Sequence, residues 1–242
     1  MHTSTEILLT RFLSEAGAAV PLMAVWAHGS LAKGDYQPGR SDLDLIAVVR
    51  EPLDERRRDA VERLHRGLDG ALAERLHCSY MTDGQLSEHG REHVTWAMGE
   101  LFERPVTAVT RRELLTGALE LYGPGPDALI PPVSDAELAA FVQADLRDFW
   151  LVKTRGRRRW LLDEWVDLGM VTVARAAVTL RDGRLISKRE ALDVLGEMGA
   201  PPVVVDGIRA RRYGTDGPVL SRFRRAKLAR RFIRQAIVRV LA

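Results

Sequence analysis

Residues 26–49, WAHGSLAKGDYQPGRSDLDLIAVV, decide the fold. Leu22 to Ala27 is an apolar run that stops at His28-Gly29-Ser30, and Leu43 to Val49 is a second run, entered through Ser41-Asp42. The stretch reads as strand, glycine turn, short helix, polar loop and second strand. Alternate residues of a strand share a face, so Asp42 and Asp44 point one way while Leu43 and Leu45 point into the core. Two adjacent carboxylates repel each other and are costly to bury unpaired; a divalent cation removes that cost. A carboxylate pair with open positions around a hard cation suits Mg²⁺, which is usually held by one or two carboxylates plus phosphates. Gly29 has no side chain, so a phosphate can approach its backbone closely. Free N–H groups at the start of the next helix favour an anion, and the Ser30 hydroxyl adds a donor. One strand end thus offers a phosphate cradle and its neighbour offers metal ligands.

Gly29-Ser30, a gap of eleven residues, then Asp42-Leu43-Asp44 resembles the signature of the DNA polymerase β-like nucleotidyltransferase superfamily. The resemblance implies nucleotidyl transfer, in which metal ions hold a triphosphate and stabilise charge on the attacking and leaving oxygens. In the second half, LGMVTVARAAVTLRDGRLISKREAL (Leu168 to Leu192) resembles the C-terminal helical domain of aminoglycoside nucleotidyltransferases, nearest to the streptomycin/spectinomycin adenylyltransferase type. By that resemblance Arg175 and Lys188 contact the triphosphate. Their positions are odd without a ligand. Arg175 lies in an apolar stretch, where an unpaired charge is expensive, and Lys188 opens a helix, the end that disfavours cations. The alternative is a local partner for Arg175, such as Asp167 or Glu164. The family carries a general-base Glu on its third strand; the corresponding position here is His77. A histidine can act as a base, since its ordinary pKa is about 6.5, and Glu74 and Asp83 are the nearby carboxylates that could substitute. The acids that bind aminoglycoside amines in the family have no clean counterpart; Glu164 and Asp167 occupy that neighbourhood, and Trp96 lies near where an acceptor would approach.

The 242 residues suffice for a sizeable core in one large or two small domains, and 46% hydrophobic with 29% charged residues is ordinary globular composition. The one cysteine, Cys78, excludes an intrachain disulfide and a multi-cysteine zinc site, and fits a reducing cytoplasm. No apolar run is long enough to span a membrane, and the N-terminus reads as an amphipathic helix rather than a signal peptide. Net charge is only +3, yet Pro218 to Ala242 holds eight Arg or Lys and no acid. That helix could bind nucleic acid or a triphosphate, but a solvated face is the plainer reading.

In chain order, Leu9, Phe12, Leu13 and Ala16 mark a first helix. Val61, Leu64, Leu68 and Leu72 mark a long one reaching about Arg75, and Leu76 to Met81 a third strand. Arg91 to Phe102 reads as helical, which would put His89 and His93 on one face as a metal pair needing a third ligand. Val106 to Thr110 reads as a short strand and Arg111 to Ala118 as a helix. Leu121 to Val133 is proline-rich and marks a domain boundary. Ser134 with Glu137, and Ser187 with Glu190, are capping boxes. The remainder is helical, ending in a helix from about Val219 to Leu241 whose buried stripe is Phe223, Ala226, Ile233, Ile237 and Val240. The expectation is an α+β protein: a nucleotidyltransferase domain over residues 1–133, with a mixed sheet, and a helical bundle over residues 134–242. It would use ATP and Mg²⁺ to move AMP onto a hydroxyl of a small-molecule acceptor, such as an aminoglycoside antibiotic; whether it confers antibiotic resistance is left open. The rivals are AMP transfer to protein, as in toxin–antitoxin systems, and a non-catalytic nucleotide- or RNA-binding module. Oligomeric state is left open.

Overall fold

The computed structural model describes residues 2–86, 88 and 90–242, with only the backbone of Asp83. The chain forms two compact units, Met1–Val133 and Ser134–Ala242.

The first unit is built on a six-stranded sheet of order β5-β4-β3-β2-β1-β6. Helix α1 (Thr3–Ala19) buries Leu8, Leu9, Phe12 and Ala16. Strand β1 (Leu22–Ala27) leads through the single turn α2 (Gly29–Ala32) and a polar loop to β2 (Leu43–Val49). Helix α3 (Glu55–Gly67) starts at Asp54, whose side chain accepts from the Arg57 N–H. It ends earlier than the leucine spacing suggests. Gly70 adopts a left-handed φ of 94°, and only a 3₁₀ turn, Ala73–Arg75, precedes β3 (Leu76–Thr82). β2 and β3 run parallel, and every other pairing is antiparallel, so the sheet is mixed.

The segment read as helical at Arg91 to Phe102 is instead a hairpin, β4 (Glu92–Ala97) and β5 (Glu100–Pro105). Its two-residue turn, Met98-Gly99, has φ of 54° and 83°, the double left-handed turn whose twist matches paired strands. His93 is therefore a buried strand residue, and His89 lies outside the described residues. The strand expected at Val106 to Thr110 is also absent: Thr107 caps α4 (Ala108–Gly117) by accepting from the Thr110 N–H at 3.2 Å. A short strand β6 (Leu119–Tyr122) then pairs with β1.

Leu43, Leu45, Ala47 and Val49 pack with α1 and α3 on one side of the sheet. Trp26, Ile46, Val48 and Met81 pack with Leu114 of α4 on the other. The central strands are thus buried on both faces, as parallel pairs usually are.

The second unit is all helical. α5 (Asp135–Ala144), with Ser134 accepting from the Glu137 N–H, widens into a π turn at Asp145–Trp150 and continues as α6 (Leu151–Lys153). After a basic loop and a 3₁₀ turn at Arg159–Leu161 comes α7 (Asp163–Asp182), closed by Gly183 at φ 69°. α8 (Lys188–Glu197) opens with a complete capping box between Ser187 and Glu190. α9 (Pro202–Tyr213) starts on a proline at the position where a missing N–H costs nothing. α10 (Arg222–Val240) packs on α7. A Cβ at Gly169 of α7 would meet the Trp160 ring at 2.9 Å and Ile233 of α10 at 3.0 Å, so glycine permits this close approach.

Candidate active site

The first unit places its chemistry in one row across three strands. Asp44 is the register partner of His77 on β3. The His28 N–H donates to the Asp44 carbonyl at 3.0 Å, which extends the β1–β2 ladder by one step. His28, Asp44 and His77 continue the face that carries Trp26, Ile46 and Met81. The His77 Nδ1 stands 3.7 Å from an Asp44 carboxylate oxygen.

Gly29 follows His28 directly. Its φ is 65°, and a Cβ built there would lie 2.9 Å from the Asp44 Oδ2. Glycine is required twice over, for the left-handed backbone and for the carboxylate pressed against it. Asp42, two residues before Asp44, is 41% exposed and Asp44 is 31% exposed. The Arg75 Nη1 reaches Asp42 at 3.3 Å and donates to the Arg40 carbonyl at the same distance. Each acid thus has a cationic or protonatable neighbour of its own. The Arg75–Asp42 contact is half-exposed, so it is worth no more than about 1 kcal/mol.

Among the described residues, no group of three or more His, Cys, Asp or Glu is placed to hold a metal. Two partly exposed carboxylates on alternate residues, beside a glycine with no side chain, form the open donor set that magnesium shares with phosphates rather than a closed protein cage. The residues therefore fit Mg²⁺.

Three residues in or beside this row had no signal in the sequence. Arg75 is one. Glu113 of α4 is buried at 8% exposure, sits 3.4 Å from the His28 Nδ1, and has the Lys33 ammonium 4.0 Å from its other oxygen. His28 is the third. Its partner is 85 residues away in the chain, so only the fold brings them together.

Residues 9–113 match the family model of the nucleotidyltransferase domain. The match spans less than half of the chain. It supports an enzyme of nucleotidyl-transfer type on an α+β fold. Among solved structures, the chain is similar to spectinomycin adenyltransferase AAD(9) from Enterococcus faecialis, solved with ATP and spectinomycin. The TM-score is 0.76 at 13% identity, covering 96% of this chain and 99% of that one. Among curated protein sequences, none matches.

The other sequence-derived residues fare unevenly. Trp96 is a core residue, not an acceptor platform: it is 5% exposed and stacked on His65 at 5.0 Å with planes 9° apart. Glu74 lies exposed in the 3₁₀ turn before β3. Burial pushes the Cys78 thiol up to about 12, which leaves it inert as a nucleophile.

In the second unit the Arg175 Nε donates to the Ile186 carbonyl at 2.9 Å, two residues before Lys188, so α7 and the start of α8 bring the two cations to one turn. Asp167 is not the partner of Arg175. It holds Arg211 through two hydrogen bonds of 2.9 and 2.5 Å, and burial raises its pKa first of all, with Arg211 opposing. Its carboxylate is committed to that pair, so it is withdrawn as a free acid for an aminoglycoside amine. Glu164 is exposed and stays available.

Proposed function

We propose that this protein is a Mg²⁺-dependent adenylyltransferase that moves AMP from ATP to a hydroxyl of a small-molecule acceptor, with aminoglycoside-class antibiotics the leading acceptors. The observation that carries this reading is the Asp44 carboxylate packed against the backbone of left-handed Gly29, with Asp42 beside it and His77 in the next strand. The ATP and spectinomycin of the similar solved structure support the choice of nucleotide and acceptor class. The buried single thiol and the lack, among the described residues, of any helix long and apolar enough to cross a membrane support a cytoplasmic site of action.

In this reading Asp42 and Asp44 hold the magnesium, which when bound neutralises triphosphate charge and stabilises the attacking and leaving oxygens. Gly29 and Ser30 receive the terminal phosphates on backbone N–H groups and a hydroxyl. In the second unit, Arg175 and Lys188 supply positive charge suited to a polyphosphate. His77 takes the proton of the acceptor hydroxyl as it attacks the α-phosphorus and pyrophosphate leaves. Nδ1 is the ring nitrogen near Asp44, which leaves the other nitrogen for that proton. His28, braced by Glu113, orients the strand end from which Gly29 departs.

The test is pyrophosphate release with each of the four nucleoside triphosphates against streptomycin, spectinomycin and other aminoglycosides. Release with ATP and one of these acceptors, lost in Asp42→Asn/Asp44→Asn, is the expected result. Radiolabel from ATP appearing on cellular protein and on no added antibiotic would assign the acceptor to protein instead.

A further inference from the structure

The helix α10 contains eight Arg or Lys and no acid, and the structure shows what surrounds them. Its apolar side is spent on the bundle: Ala226, Ala229, Phe232, Ile233, Ala236 and Ile237 are buried. Phe223, expected in that buried stripe, is instead 63% exposed, with the Arg222 guanidinium 5.1 Å from its ring centre. The basic loop 155–159 is laid against this helix. The Arg230 Nη1 donates to the Thr154 carbonyl at 3.1 Å, and the Arg225 Nη2 to the Leu161 carbonyl at 3.1 Å. A groove of 380 Å³ runs between them, lined by Arg157, Leu161, Phe223, Ala226, Lys227 and Arg230.

Arg155, Arg157 and Arg158 of the loop and Lys227, Arg231 and Arg234 of the helix are all exposed. Among the described residues none of the six is ion-paired to an acid, unlike Arg225, which holds Asp163 at 2.9 Å. Lys227, Arg231 and Arg234 follow one another at helical spacing along one side of α10, and like charges so placed repel one another. The first turn of α10 also carries arginines and no acid, against the helix dipole. An uncompensated, self-repelling cationic surface beside the exposed Phe223 ring is suited to a polyanion.

We propose that this face of the second unit binds single-stranded nucleic acid, with phosphodiesters on the six cations and an unpaired base on Phe223. Three features select that partner. Five of the six cations are arginines, whose planar fork suits phosphate. The exposed Phe223 ring lines the groove, as in stacking platforms for unpaired bases. And α10 has no free apolar face to sink into a lipid surface, which membrane-lying helices need. RNA and DNA share this chemistry.

The experiment is fluorescence anisotropy of the full-length protein with labelled single-stranded RNA and DNA oligonucleotides and a duplex, from about 50 to about 200 mM salt. With six phosphate contacts, affinity should fall roughly 300-fold over that range, a slope near −4. Arg157→Gln/Lys227→Gln/Arg231→Gln should flatten the slope by about 2 units. Phe223→Ala should weaken binding roughly tenfold and leave the slope alone. Circular dichroism melts should show all variants folded, the triple variant as stable as wild type or more so. A stronger response to RNA than to DNA, or the reverse, names the source without altering the proposal. No binding tighter than about 10 μM at low salt, unchanged binding in both variants, equal affinity for duplex, or displacement of oligonucleotide by anionic vesicles would overturn it.

Discussion

Gly29→Ala tests the active-site geometry, and Gly34→Ala is its internal control. Both glycines are left-handed, at φ 65° and 66°. A Cβ at Gly34 meets nothing within 4 Å, whereas a Cβ at Gly29 lies 2.9 Å from the Asp44 Oδ2. Each substitution should cost about 1–2 kcal/mol from backbone strain, a fall of several degrees in Tm for a unit of this size. Only Gly29→Ala adds a collision. Restoring ordinary contact requires the carboxylate to retreat by about half an ångström, and because a misplacement of about 1 Å can cost roughly 100-fold in rate, this one should cost about tenfold or more. Calorimetric titration of ATP with and without Mg²⁺, beside thermal melts, separates the effects. The expected result is a similar loss of Tm in both variants and a loss of MgATP affinity in Gly29→Ala alone. If Gly29→Ala binds MgATP as Gly34→Ala does, Asp44 is not part of the nucleotide site.

Further tests address other parts of the molecule. His77→Gln should lower kcat roughly 10²- to 10⁴-fold, the range of a lost general base, while calorimetric MgATP affinity stays unchanged; equal turnover would remove His77 from the chemistry. His65 is buried, its Nε2 2.9 Å from the Tyr80 hydroxyl, and burial lowers its pKa from 6.5 to about 3. The unfolded chain therefore takes up a proton that the folded chain refuses. Stability is full above pH 6.5 and should fall by up to about 1.4 kcal/mol per unit below it; urea melts at pH 7 and pH 5 should differ by about 2 kcal/mol, and His65→Gln should flatten that dependence. Gly169→Ala gains about 1 kcal/mol of helix propensity but overpacks Trp160 and Ile233, at about 1–3 kcal/mol. A net loss of Tm is expected, and a gain would show the helices free to spread.

The central motif was legible because it is local: two apolar runs, one glycine turn and two acids at alternate positions already specify strands, turn and carboxylate pair. The helical second half was legible through its capping boxes. The hairpin β4–β5 was not, since its charged residues at helical spacing masked Val94, Thr95 and Trp96 and the Met98-Gly99 turn. α3 was overread because Leu68 and Leu72 keep the period after the backbone has turned away at Gly70. Phe223 fits the apolar period of α10, yet lies before the bundle begins to cover that helix. Arg75, His28 and Glu113 depend on contacts between distant segments, which periodicity does not encode. Asp167 was misjudged for the same reason, its partner Arg211 lying two helices on.

Because His28, Asp44 and His77 stand in one rung of the sheet, their separation is dictated by interstrand hydrogen bonding at about 4.8 Å per strand, not by how the core happens to pack. Exchanges among the apolar residues beneath should leave that spacing intact. The variable left to such a site is the length and acidity of the side chain on each rung position, so one ionisable side chain can replace another there without the scaffold being rebuilt.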